Sequence, residues 1–322
     1  MTRTTTYALS EPLRAFIEQS QRFVAADESL EARRDAFLRA CRYFTPPPPQ
    51  GVEMENSQVD EIAIRVYRPG GVTPRGGWPT LLYLHGGGWD LGSLDSHDWF
   101  AFALLRRLPI AIVAVDYRLA PEHPFPAPLE DSLAVWQALR QGKVAIDLSS
   151  ERLAVSGDSA GGTLAAGLCM ALREQGGAQP ILQALLYPVL TVETDLPSMQ
   201  EHASAPMMTV AGLSKSIARF LPELAMRRNP CAMPLMAEYF DGLAPAFIGV
   251  AEYDPLRDHG YAYRDVLCRA GGVAELHLGE GLVHSSLRAF NVAGVELLFD
   301  KLATALRALM SDTDQHRGPG PY

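Results

Sequence analysis

The chain has 322 residues, 48% of them hydrophobic and 20% charged, which is enough apolar side chain to bury the core of one large α/β unit with an insertion. A formal net charge of −9 with no basic run argues against a nucleic-acid partner, whose phosphates would need neutralising. No run stays apolar over the roughly 18 residues a membrane-spanning helix requires, so no span is expected.

Residues 8–43 are predicted helical, because Leu9, Leu13, Phe16 and Ile17, then Phe37, Leu38, Cys41 and Phe44, recur at helical spacing. This segment is amphipathic, with Glu11, Arg14 and Glu18, and does not read as a secretory signal core. A proline run at 45–51 stops it. Strands are predicted at 62–67, 80–84, 110–116, 153–156, 181–187, 246–250 and 274–278. Several are nearly unbroken apolar runs, as parallel strands covered on both faces should be. Helical stretches at 99–107, 129–141, 163–174, 259–270 and 288–309 alternate with them, which implies a doubly wound, mostly parallel sheet. Residues 191–236 break that rhythm: they hold six methionines, several prolines and a short helix near 212–221. A helical cap is expected from 1–50 and 191–236, over a catalytic domain made of 51–190 and 237–322. The tail at 311–322 is polar and rich in Gly and Pro, and fraying is expected there. Four cysteines, Cys41, Cys169, Cys231 and Cys268, lie far apart without metal-ligand spacing. They read as free thiols in a reducing compartment, which points to a cytoplasmic protein without a metal.

Gly157-Asp158-Ser159-Ala160-Gly161 follows a short apolar strand and opens a small-residue helix. In that context Ser159 sits on a tight turn with its hydroxyl raised above the sheet edge, as a nucleophile requires. The flanking glycines leave room where strand and helix cross closely. His85-Gly86-Gly87-Gly88 follows another strand, so the N–H groups of Gly86 and Gly87, with that of Ala160, are candidates for an oxyanion hole. His85 reads as a brace for this loop. Trp89, directly after the glycines, is a candidate wall for the acyl group, and Asp158 is a candidate substrate-binding residue that reads more readily as a hydrogen-bonding support beside the nucleophile. The Met-rich stretch reads first as core under a lid and second as an adaptable acyl pocket.

An acid partner should lie just past a later strand, where Asp254 and Asp258 stand with Glu252 near them. Asp254 is closest to the strand end, where open parallel sheets place their sites, and Asp258 fits the first turn of the next helix. Among eight histidines, His284 follows the last strand and completes the order Ser, Asp, His. His277 within a strand, His259 at a helix start, and His97, His123, His202 and His316 read as structural or surface residues.

His85-Gly-Gly-Gly-Trp89, the block 116–127, Gly-Asp-Ser-Ala-Gly-Gly at 157–162 and Asp-Pro-Leu-Arg-Asp at 254–258 together resemble the hormone-sensitive-lipase family of α/β-hydrolase carboxylesterases. The resemblance covers roughly 60–290. It implies an eight-stranded α/β-hydrolase with a helical cap, acting on short- to medium-chain acyl esters as small-molecule substrates without a cofactor. It also implies a role for Glu201 in bracing the alcohol side. The chain departs from the family at Thr163, where Asn is frequent, and at Ser285-Ser286, where Gly-Phe is common. Two other readings stand beside the esterase: a ligand-binding receptor on the same scaffold, and an amidase or peptidase of the same fold. The last strand and helix offer an edge for a homodimer, an option these residues leave open.

Overall fold

In a computed structural model that describes residues 7–144 and 147–310, the alternating apolar segments assemble into one eight-stranded sheet. The strands are β1 (Val52–Val59), β2 (Ile62–Pro69), β3 (Trp78–Leu84), β4 (Ala111–Val115), β5 (Leu148–Asp158), β6 (Gln183–Leu186), β7 (Ala246–Tyr253) and β8 (Ala274–Val283). Their spatial order is β1-β2-β4-β3-β5-β6-β7-β8. β2 runs antiparallel to both β1 and β4, and every other neighbour pair is parallel. The expected tail at 311–322 lies outside the described residues.

The helices are α1 (Glu11–Ser20), α2 (Leu30–Phe44), α3 (Asp98–Leu105), α4 (Ala127–Arg140), α5 (Ala160–Glu174), α6 (Pro197–Glu201), α7 (Val210–Phe220), α8 (Arg257–Arg269) and α9 (Ala293–Leu306). The pleat sorts side chains between two cores. Leu82, Leu84, Val155 and Ile248 join Trp136 of α4, Leu164 and Leu168 of α5 and Leu267 of α8 on one face. Leu81, Tyr83, Ala154 and Phe247 join Phe100 of α3, and Leu298 and Phe299 of α9, on the other. Both faces are covered, which is why the central strands read as continuous apolar runs. Among the described residues no helix is long and apolar enough to cross a membrane.

Three expectations are corrected. β1 was not predicted: its sequence, Val-Glu-Met-Glu-Asn-Ser-Gln-Val, is largely exposed and lacks the alternation that betrays a strand. Eight backbone register pairs with β2 hold it in place instead of burial. The helical segment at 8–43 is interrupted at Gln21–Ser29, where the Ser29 side chain accepts from the Ala32 N–H and starts α2. The predicted helix at 288–309 is likewise broken, into a short 3₁₀ turn (Ser286–Arg288), a gap and α9.

The N-terminal segment also divides in space. Leu13, Phe16 and Ile17 of α1 belong to the core with α3 and α9. The part that borders the large cavity at the C-terminal end of the sheet is Val24, Ala25, Asp27, Glu28, Arg33 and Phe37. From the insertion, the loop before α7 and α7 itself supply Met207, Met208, Leu213, Lys215 and Arg219.

Candidate active site

Ser159 lies between the last residue of β5 and the first of α5, with φ 53° and ψ −119°. Such a backbone is unfavourable for any residue with a Cβ and persists only where its surroundings fix it. Here two close crossings do so. A Cβ on Gly157 would strike the Gly161 carbonyl, and one on Gly161 would strike the carbonyls of Leu84 and His85 at the end of β3. Among the described residues, six without a glycine's freedom have positive φ, and five of them (Trp89, Ser159, Tyr187, Met207 and Ser285) line the same cavity. Among the described residues, backbone strain of this kind gathers around the cavity, as it does at functional sites.

Ser159, Asp254 and His284, far apart in the chain, are brought together at the cavity floor. The His284 ring stands with Nε2 2.9 Å from Ser159 Oγ and Nδ1 2.7 Å from Asp254 Oδ2. A carboxylate can only accept, so Nδ1 carries the proton, and Nε2 is left to accept from the serine hydroxyl. Asp254 is fully buried, and its other oxygen accepts from the Leu256 N–H at 2.9 Å, which fixes the carboxylate. Tyr187 packs against the imidazole, ring centroids 4.6 Å apart. The competing acids are committed elsewhere. Asp258 accepts from the Ser198 N–H at 2.8 Å and anchors α6, and Glu252 accepts from the Gly281 N–H at 2.7 Å, tying β7 to β8. His259 is buried and its Nδ1 accepts from the Leu190 N–H at 3.1 Å; burial pushes the ring's pKa down to about 4.

The glycine loop requires a correction. The Gly86 N–H donates to Asp158 Oδ1 at 3.0 Å, and Tyr83 donates to the same oxygen at 2.6 Å. Gly86 is therefore not free to meet an oxyanion. Through these two bonds Asp158 ties the glycine loop to the elbow. Burial raises its carboxyl above the usual range, partly offset by these two donors. Beyond Gly86, the chain passes through Gly87 (φ 126°) and Gly88 (φ 62°), both lining the cavity. Their N–H groups, and that of Ala160 at the start of α5, have no protein acceptor among the described residues. Gly88 was missed because nothing in the sequence tells which of three successive glycines is spent on a carboxylate some seventy positions away. His85 braces the turn: its Nδ1–H donates to the Gly86 carbonyl at 2.9 Å, its ring stacks on Tyr117 at 4.3 Å, and burial lowers its pKa to about 4.

Two further expectations change. Trp89 borders the cavity, but its indole is wholly buried and stacks on Phe220 of α7 at 4.4 Å, so it ties the glycine loop to the insertion and presents no open wall. Glu201 does not line the cavity. It is half-exposed and paired with Arg257 at 3.1 Å, because the Asp258–Ser198 bonds turn the end of α6 toward α8. The methionines divide: Met199 and Met233 are core, whereas Met207 and Met208 reach the cavity.

The cavity itself has a volume of about 960 Å³. Beside the glycine loop, Asp90 is buried and receives Arg33 of α2 at 3.1 Å and Arg219 of α7 at 2.8 Å. Burial raises its carboxyl above the ordinary range, and the arginines oppose that shift.

Comparison with known proteins bears on the family and the fold. A family model described as alpha/beta hydrolase fold matches residues 81–288. The chain is 39% identical over 301 residues to Carboxylesterase NlhH of Mycobacterium tuberculosis, covering 89% of this chain and 92% of that protein. It is 37% identical over 265 residues to Esterase LipI of the same organism, covering 81% and 82%. The crystal structure of an alpha/beta hydrolase enzyme from the metagenome of Lake Arreo, Spain, superposes with a TM-score of 0.84 at 31% identity, over 94% of this chain and 98% of that one.

Proposed function

This chain belongs to the alpha/beta hydrolase fold family, in its hormone-sensitive-lipase-like branch, and from that premise we propose how its cavity works. It is a serine carboxylesterase for short- to medium-chain acyl esters. The observation that carries the mechanism is the unbroken hydrogen-bond chain from Asp254 through His284 to Ser159 at the floor of one cavity.

Ser159 Oγ attacks the ester carbonyl while His284 Nε2 takes the hydroxyl proton. The carbonyl oxygen becomes an oxyanion held by the N–H groups of Gly87, Gly88 and Ala160. Collapse expels the alcohol, which receives its proton from the imidazolium, and leaves Ser159 acylated. Water, deprotonated by the same nitrogen, then attacks the acyl group and releases the acid. Asp254 holds the Nδ1–H tautomer and stabilises the imidazolium. Residues from both 24–37 and 205–219 roof the cavity, which supports the reading of a two-part cap over the hydrolase domain. The cytoplasm is the compartment that suits four free cysteines, three of them buried.

The relatives are named as ester hydrolases, which favours esters over amides and catalysis over a receptor role. The test is turnover of 4-nitrophenyl butyrate. Ser159→Ala should lower kcat by about 10⁵-fold or more and abolish labelling by a fluorophosphonate probe. Retention of full turnover by that variant would reject the mechanism.

A further inference from the structure

Of the cationic side chains lining this cavity, none of which the mechanism uses, Arg288 is the buried one, whereas Lys215 is exposed and Arg33 and Arg219 are about a third exposed. Arg288 follows His284 by one short 3₁₀ turn, beginning at Ser285 in a left-handed conformation, and this turn brings its side chain back to the cavity wall. The residue is 8% exposed. Its guanidinium, always charged, offers five N–H groups. Among the described residues one hydrogen bond uses them, from Nη1 to the Sγ of Cys41 in α2, and the Phe37 ring lies under the guanidinium carbon at 5.5 Å. Arg288 makes no ion pair among the described residues, whereas Arg33 and Arg219 on the same cavity both meet Asp90. The acid whose charge it feels, Asp158, already accepts from Tyr83 and Gly86. The other titratable rings close enough to feel the Arg288 charge are His97, whose pKa burial pushes down, and Tyr187, whose pKa burial pushes up, so both stay uncharged near neutral pH.

A buried cation with no carboxylate in hydrogen-bond contact is costly, and a thiol, a ring face and the more distant Asp158 compensate it only in part. The chain accepts that cost on the wall of the same cavity that holds Ser159. We propose that Arg288 is a specificity-determining residue that binds a carboxylate, and that the esters suited to this cavity carry a free carboxylate on their acyl or alcohol part. The guanidinium fork matches such a group in a bidentate fashion. Arg33 and Arg219 do not compete for it, because Asp90 holds them. This inference rests on the esterase reading and names the substrate class of the same site.

The test compares two matched pairs of substrates on the intact enzyme. 4-Nitrophenyl hydrogen adipate against 4-nitrophenyl hexanoate places the charge on the acyl side, and 4-acetoxybenzoate against 4-acetoxybenzamide places it on the alcohol side. In at least one pair, kcat/KM should favour the carboxylate by tenfold or more, despite the net negative charge of the chain. Arg288→Met should reduce that charged-to-neutral ratio at least tenfold, and Arg288→Lys should reduce it less. A ratio at or below one in both wild-type pairs overturns the inference, as does a ratio that neither variant moves. The wild-type ratios decide even if both variants fail to fold. Absence of turnover on every substrate, including 4-nitrophenyl butyrate, would instead sink the esterase reading.

Discussion

Asp254 touches no substrate in the proposed reaction, yet it fixes which imidazole nitrogen faces Ser159. Asp254→Asn can donate to Nδ1 and so favours the wrong tautomer. Its kcat on 4-nitrophenyl butyrate should fall by about 10⁴-fold, while the fold and substrate binding persist. Burial acts differently on His85 and His259, both lowered to about 4 from 6.5. Above pH 6.5 neither folded nor unfolded chain protonates them. As pH falls from 6.5 toward 4, the unfolded chain takes up protons that the folded chain cannot, so stability is lost across that window, on the order of 3 kcal/mol for each ring. Thermal unfolding should show Tm decreasing steadily over that interval, and His259→Asn, which keeps an acceptor for the Leu190 N–H, should flatten the slope. At this scale the three side chains that meet at the cavity floor, Ser159, Asp254 and His284, were legible in the sequence, because each stands just past a strand end. The N–H direction at Gly86 was not, since it depends on the Asp158 acceptor across the cleft.

Among elements, the contact that matters most is the crossing of α5 over the ends of β3 and β5. Gly161→Ala would drive a methyl group into the carbonyls of Leu84 and His85, and backbone cannot step aside as a side chain can. Unfolding free energy should drop by about 3 kcal/mol in urea titration, with loss of turnover because the elbow shifts with it. The apolar central strands and the helices between them were readable from periodicity, since both sheet faces demand burial. β1 was not. An edge strand satisfied by main-chain pairing can be polar throughout, and acidic residues such as Glu53 and Glu55 at a sheet edge also discourage pairing with another chain. The break between α1 and α2 left a local trace, the Asp27-Glu28-Ser29 cluster, but the amphipathic stripe runs past it.

Across the whole molecule, Asp90 joins pieces distant in sequence: α2, α7 and the loop after β3. Arg33 and Arg219 are each about a third exposed, so solvent weakens the pairs, and Asp90→Ala should cost about 2 kcal/mol of stability. The larger effect should be local: limited proteolysis should open the chain within 21–29 or 203–209 sooner than in the wild type, and KM for neutral esters should rise. That residues from both 24–37 and 205–219 line the cavity fits the two-part cap we propose. That α1 would turn away and join α3 and α9 was not legible in the sequence, because an amphipathic helix does not specify which apolar surface it covers.

The 125 residues that separate Ser159 from His284 give the protein a schedule as well as a shape. On the ribosome the serine is made well before the imidazole that would serve it as general base. Under the proposed mechanism, any product of premature termination between them carries an inert hydroxyl, so acyl transfer waits on translation past position 284, by which point the cavity-lining segments 24–37 and 205–219 have already been made.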